Sequence, residues 1–190
     1  MSEERMRKIS LQMIFQCAPT FQRIKPSSLI MLCPEDIEVL ERQTAETGVS
    51  VCRLGRGNQR DMWLLYREEA LEHILREKEN RRFFRRMGYE SLSLPAVFHN
   101  VRMRLAAHRD GEGEYPHELG LLLGYPLEDV QGFISNRGKN YLYSGYWKVY
   151  GDVEKARQLF QSYDRARKQM LAMAVPSAAM PKGVLALACV

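Results

Sequence analysis

His117 and Glu118 stand side by side in this chain of 190 residues, and together they could move a proton. An imidazole titrates near neutral pH, and a neighbouring carboxylate can share general acid–base work with it. Adjacent residues on a helix point about 100° apart, however, and no HExxH spacing accompanies them to hold a metal. Their other reading is architectural: His117 orients the start of a helix, and Glu118 sets negative charge at its positive end. Cys17 and Thr20, in the run CAPT, are the second candidates. A thiol near a helix C-terminus faces the negative end of the dipole, which raises its pKa and works against an activated thiolate. A buried thiol followed by a chain reversal is the competing reading.

The best binding candidates form an aromatic-basic set: Arg137, Lys139, Tyr141, Tyr143, Tyr146, Trp147, Lys148 and Tyr150. Tyr and Trp offer flat faces with a polar tip, and Lys and Arg supply anion contacts, which suits a phosphate-bearing or planar ligand. As one continuous strand the segment would turn Tyr146, Lys148 and Tyr150 to one face and Trp147 and Val149 to the other. Cys17, Thr20, Lys25, Tyr125 and Asn136 join this set, on the expectation that CAPT and Lys25 meet the segment around residues 115–152. SNRGKN lacks the GxxxxGK pattern of a phosphate-cradling loop. The basic run from Arg76 to Arg86 is interleaved with Glu77 and Glu79 and reads as a solvated helix face. No metal site is expected, and the residues do not specify a cofactor.

These groups need elements to position them. Met6, Ile9, Met13 and Cys17 share one face of a helix over 3–17, which Pro19 is expected to end. LIMLC at 29–33 reads as a buried strand, and Pro34, Glu35 and Asp36 open a helix that runs to Gly48. VSVCRL, the turn GRGN and DMWLLYR make a hairpin, so the first part predicts β-α-β plus an antiparallel strand in a small mixed sheet. A bent basic helix and a second helix over 94–108 follow. Pro116 then starts a helix through Leu119, Leu122 and Leu123 that stops at Gly124, and Pro126 starts another through Leu127, Val130, Phe133 and Ile134. An aromatic strand or hairpin leads to Asp152, a good N-cap for a long final helix. The fold class is therefore α+β.

The helices around Gly124 also fit a helix-turn-helix spacing, with Gln131, Ser135 and Asn136 as readers of DNA. Glu128 and Asp129 in the first turn of the second helix would repel phosphates. A formal charge of +5 and a pI near 9.1 favour anionic ligands only mildly. Four scattered cysteines without a CxxC pair read as reduced thiols, and neither a signal sequence nor an apolar run of about 18 residues is present. One domain over 1–175, a disordered tail over 176–190, and a cytoplasmic protein without membrane contact are expected.

PHELGLLLGYPLEDVQGFISNRGKN and GYWKVYGD, with CAPT and Lys25-Pro26 upstream, resemble the bacterial domain-of-unknown-function family 3793 over roughly residues 10–170. The resemblance implies a cytoplasmic protein of mostly anaerobic bacteria, with a loose association with iron and flavodoxin neighbourhoods. Gln16 stands where the family usually has a His before the CAPT cysteine, and Ala166-Arg167 where a cysteine is common. The family's Cys and His positions are therefore not expected to build a metal or redox site here. The leading expectation is a ligand-binding or accessory protein for a small anionic or planar ligand or a protein partner. A DNA-binding regulator and an enzyme using His117 or Glu118 are the alternatives.

Overall fold

Leu64 and Leu65 are adjacent, both are fully buried, and they point into different cores. That is the alternation of a strand covered on both faces. The strand is β3 (Asp61–Tyr66), and in the computed structural model, which describes residues 3–174, it lies between β1 (Ser27–Leu32) and β2 (Ser50–Gly55). Leu29 pairs with Leu64 on one side and Val51 with Leu65 on the other, both antiparallel. The sheet is thus antiparallel throughout, where a mixed one was expected. β1 and β2 run the same way but never pair, because the most apolar strand takes the centre and the half-buried β2 takes an edge.

Helices α1 (Glu3–Phe21) and α2 (Ile37–Thr44) cover one face, where Ile9, Met13, Cys17, Val39 and Leu40 meet Ile30, Leu32 and Leu65. Across the other face, Leu54 and Leu64 meet residues of α3 (Glu68–Arg76), α4 (Lys78–Arg86), α5 (Leu94–Arg109), α6 (Leu119–Leu122) and α7 (Leu127–Ser135). Each fully buried leucine contributes about 2 kcal/mol through removal of apolar surface from water. The bend in the basic helix falls at Glu77, whose extended ψ separates α3 from α4, and Asn80 caps the Ile74 carbonyl across the break.

The helix expected to reach Gly48 ends at Thr44, and two prolines act differently from the sequence expectation. Pro19 does not end α1: the helix continues to Phe21. A proline removes the hydrogen bond to the carbonyl four residues back, here that of Phe15. The Arg167 guanidinium donates to that carbonyl instead at 3.0 Å, so the helix passes through the proline with its acceptor satisfied. Pro116 does not start an α-helix either. Leu119, Gly120 and Leu121 donate to the carbonyls three residues back, a tight turn that opens into the single turn of α6.

Arg167 lies on α8 (Val153–Ala174), which packs along α1 and starts with the Asp152 carboxylate accepting from the Lys155 N–H at 2.9 Å. A two-stranded ribbon, β4 (Tyr143–Ser144) with β5 (Lys148–Val149), precedes it. Trp147, Val149, Phe160 and Tyr163 form the small core between ribbon and helix. Among the described residues no helix is long and apolar enough to cross a membrane. The tail expected at 176–190 lies outside the described residues.

Candidate functional site

Lys25 is held in place by backbone. The N–H groups of Ile24 and Lys25 both donate to the Pro19 carbonyl at the end of α1, at 2.8 and 3.1 Å. The next residue, Pro26, sits directly on Gly124, where an added Cβ would come within 2.6 Å of the proline ring. Ser27 Oγ donates to the Leu122 carbonyl at 2.7 Å, and the hydroxyls of Thr20 and Ser28 bond each other at 2.8 Å. Arg67, directly after β3, closes the arrangement: its guanidinium donates to the carbonyls of Thr20, Phe21, Thr47 and Gly48. The end of α1 and the 115–152 segment are thereby joined at Lys25.

Gly124 carries this junction in two ways, through its positive φ of 80° and through its contact with Pro26. We expect Gly124→Ala to cost about 2–3 kcal/mol, combining backbone strain with a forced shift of the proline. Gly111→Ala is the control, since Gly111 has φ 79° but nothing within 4 Å of an added Cβ. It should lose only about 1 kcal/mol in the same urea titration. Equal losses would show that the Pro26 contact is soft.

The Lys25 side chain ends over two phenol rings, 5.8 Å from the centroid of Tyr125 and 5.9 Å from that of Tyr163. Among the described residues its ammonium has no hydrogen-bond or ion-pair partner. Burial lowers its pKa to about 8, offset in part by Cys17. Among the described residues the two ring faces are what stabilises its charge. Burial pushes the Cys17 thiol up to about 12 and the Tyr125 hydroxyl up to about 12, and it raises Tyr163 as well. Lys25 and Tyr125 line an open cleft of about 1680 Å³, together with Arg23, Arg67 and Lys155, and with Glu68, Glu69 and Glu72 of α3.

Trp147 stands behind Tyr125, stacked on it at 4.7 Å and edge-on to Phe160 at 4.5 Å. Asp129 fixes this stack. Its buried carboxylate accepts from Trp147 Nε1 at 2.6 Å and from the N–H groups of Tyr150 and Gly151 at 2.7 and 2.9 Å. Tyr150 lies on Gly132, leaving α7 covered by the ribbon along that side. The segment is not one strand, so Tyr146 and Trp147 do not face opposite ways. Tyr146 falls in the turn between β4 and β5, and both rings pack on Phe160. The Tyr146 hydroxyl donates to Asp164 and accepts from Arg167.

Glu118 is fully buried. Tyr89 Oη donates to its Oε1 at 2.8 Å, and Arg104 Nη1 donates to the same oxygen. Oε2 has no partner among the described residues. His117 is half-buried beside the rings of Tyr115 and Phe133 and makes no hydrogen bond with Glu118 among those described.

A family model described as "Protein of unknown function (DUF3793)" matches residues 13–182. The chain belongs to this family. No curated protein and no solved structure matches it.

In this DUF3793 chain the fold brings Cys17, Lys25, Tyr125 and Trp147 into one neighbourhood, with Thr20 bound to the same backbone turn. The other basic candidates lie elsewhere. Arg137 and Lys139 are exposed around the turn after α7, and Lys148 Nζ donates to the Gly138 carbonyl at 2.8 Å, serving the end of that helix. Asn136 turns its amide back to the Gly132 carbonyl. None of these four lines the cleft. Sequence reasoning missed Arg67 and Tyr163 as site residues. Neither carries a local signal, since an arginine after a strand and a tyrosine on an amphipathic helix are ordinary. Asp129 was legible as a helix N-terminal charge, but not as the clamp of a ribbon about 20 residues away.

Proposed function

We propose that this DUF3793 protein is a cytoplasmic ligand-binding or accessory protein that takes a small anion, preferably one attached to a planar group, in the Lys25 cleft. The observation behind this reading is the Lys25 ammonium, without an ion-pair partner among the described residues and set over the rings of Tyr125 and Tyr163 where Lys25 and Tyr125 line an open cleft. A cation held out of water without a counter-charge costs stability, and a bound anion removes that cost. Arg23 and Lys155 are further cations on the same cleft, beside seven glutamates between Glu41 and Glu79, and Tyr125, stiffened by its stack on Trp147, supplies an aromatic edge for a planar group.

Isothermal titration with adenosine monophosphate and with inorganic phosphate tests the reading. Lys25→Ala should weaken binding of adenosine monophosphate at least about tenfold, or roughly 1.4 kcal/mol. The sign of the pH dependence follows from Lys25. Its ammonium persists below a pKa of about 8, so affinity falls as pH rises through that value. Absence of binding by either anion, or equal binding by Lys25→Ala, would sink the reading.

A further inference from the structure

An amine that is desolvated, unpaired and open to a cleft can do more than attract an anion. Among the described residues the usual ways of quenching a buried lysine are missing: no carboxylate pairs with Lys25, no carbonyl accepts from it, and the groups facing it are Cys17, Tyr125 and Tyr163. Its backbone is fixed by the double hydrogen bond to the Pro19 carbonyl and by Pro26 seated on Gly124. Arg23 and Lys155 line the same cleft as further cations, with seven glutamates between Glu41 and Glu79 on its other walls, while the Arg67 guanidinium is already committed to four carbonyls. Desolvation in apolar or cationic surroundings is what turns a lysine into a nucleophile.

We propose that Lys25 is a carbonyl-reactive amine whose ligand is an aldehyde or ketone bearing a phosphate or carboxylate. This inference rests on the cleft being the ligand site and names the chemistry of that ligand. In the step, the neutral Lys25 Nζ adds its lone pair to the carbonyl carbon to give a carbinolamine. One proton moves from nitrogen to the former carbonyl oxygen as the carbinolamine forms, and that hydroxyl then leaves with the remaining N–H proton as water, so that a C=N bond replaces the C–O bond. No oxidant or reductant is consumed. The ligand's anionic group is placed by Arg23 and Lys155, and Tyr125 packs against its body. The lowered pKa is consistent with this use. At neutral pH an amine titrating near 8 offers a few hundredfold (~200–300) more of the neutral form than an exposed lysine does.

The test uses the full chain with pyridoxal phosphate as probe, borohydride reduction and peptide mapping by mass spectrometry. A reduced adduct adds the mass of the aldehyde less one oxygen atom. We expect Lys25 to be labelled at least about ten times faster than any other lysine, with the rate rising as pH approaches 8 from below. Excess inorganic phosphate should slow labelling at Lys25 but not at exposed lysines. Lys25→Arg, which keeps the cation, should lose this adduct and still bind adenosine monophosphate. Labelling spread evenly over the lysines, or sparing Lys25, overturns the inference. If adenosine monophosphate still binds in a Lys25-dependent way, the carbonyl chemistry alone fails. If neither probe engages the cleft, the binding reading fails with it.

Discussion

Asp129→Ala is expected to cost about 4 kcal/mol and to loosen the ribbon before the sheet. One buried carboxylate accepts three hydrogen bonds, from the Trp147 indole and from the N–H groups of Tyr150 and Gly151. Hydrogen bonds to a charged acceptor contribute more than neutral ones, and each buried donor left unpaired costs about 1–3 kcal/mol. Partial repair by water keeps the total below the sum. The ribbon has only two residues per strand, and its other ties to α7 are the Tyr150 ring on Gly132 and the Lys148 bond to the Gly138 carbonyl. Amide hydrogen exchange should therefore accelerate over residues 142–151, while β1 to β3 stay protected at low denaturant. Trp147 fluorescence should shift to the red as the stack on Tyr125 opens. Asp129→Asn should fall between the two, since an amide can accept at one atom only. A variant with unchanged ribbon protection would show that Phe160 packing, not Asp129, anchors this region.

Arg104→Ala should destabilise the protein by about 3 kcal/mol. Glu118 has no solvent exposure, and its partners are Arg104, which also bonds the Met87 carbonyl, and the Tyr89 hydroxyl. Removing the guanidinium strands a carboxylate inside the largest core, the costly way to break a buried pair. The diagnostic is the double variant Arg104→Ala/Glu118→Gln, which should regain part of the loss in urea unfolding because it removes the stranded charge. A double variant no more stable than Arg104→Ala would place the cost in lost arginine packing instead.

Both predictions concern residues whose types were conspicuous in the sequence and whose roles were not. Glu118 and Asp129 were legible as acids near helix starts, because that placement depends only on neighbouring residues. Their actual partners, Arg104 and Trp147, lie 14 and 18 residues away, on elements whose relative placement no local pattern encodes. Pro19 is the same lesson in reverse. By itself it reads as a helix stop, and only Arg167, 152 residues from Phe15, lets the helix run on. The aromatic alternation of 141–150 suggested a strand or a hairpin, and the structure has the hairpin, whose turn at 145–147 lets Tyr146 and Trp147 both pack on Phe160.

The sequence by itself determined the α+β class, the three main strands and the helices around them, and the family. Each of these follows from periodicity, turn residues or long local motifs, which need no knowledge of what lies across the fold. The tertiary structure alone decided that β3 is central, that Glu118 and Asp129 are internal clamps, and that Lys25 meets Tyr125 and Tyr163 with no ion-pair partner among the described residues. Those are long-range pairings. They are set by which apolar faces bury each other, and a charge acquires or loses its partner only once that burial is complete.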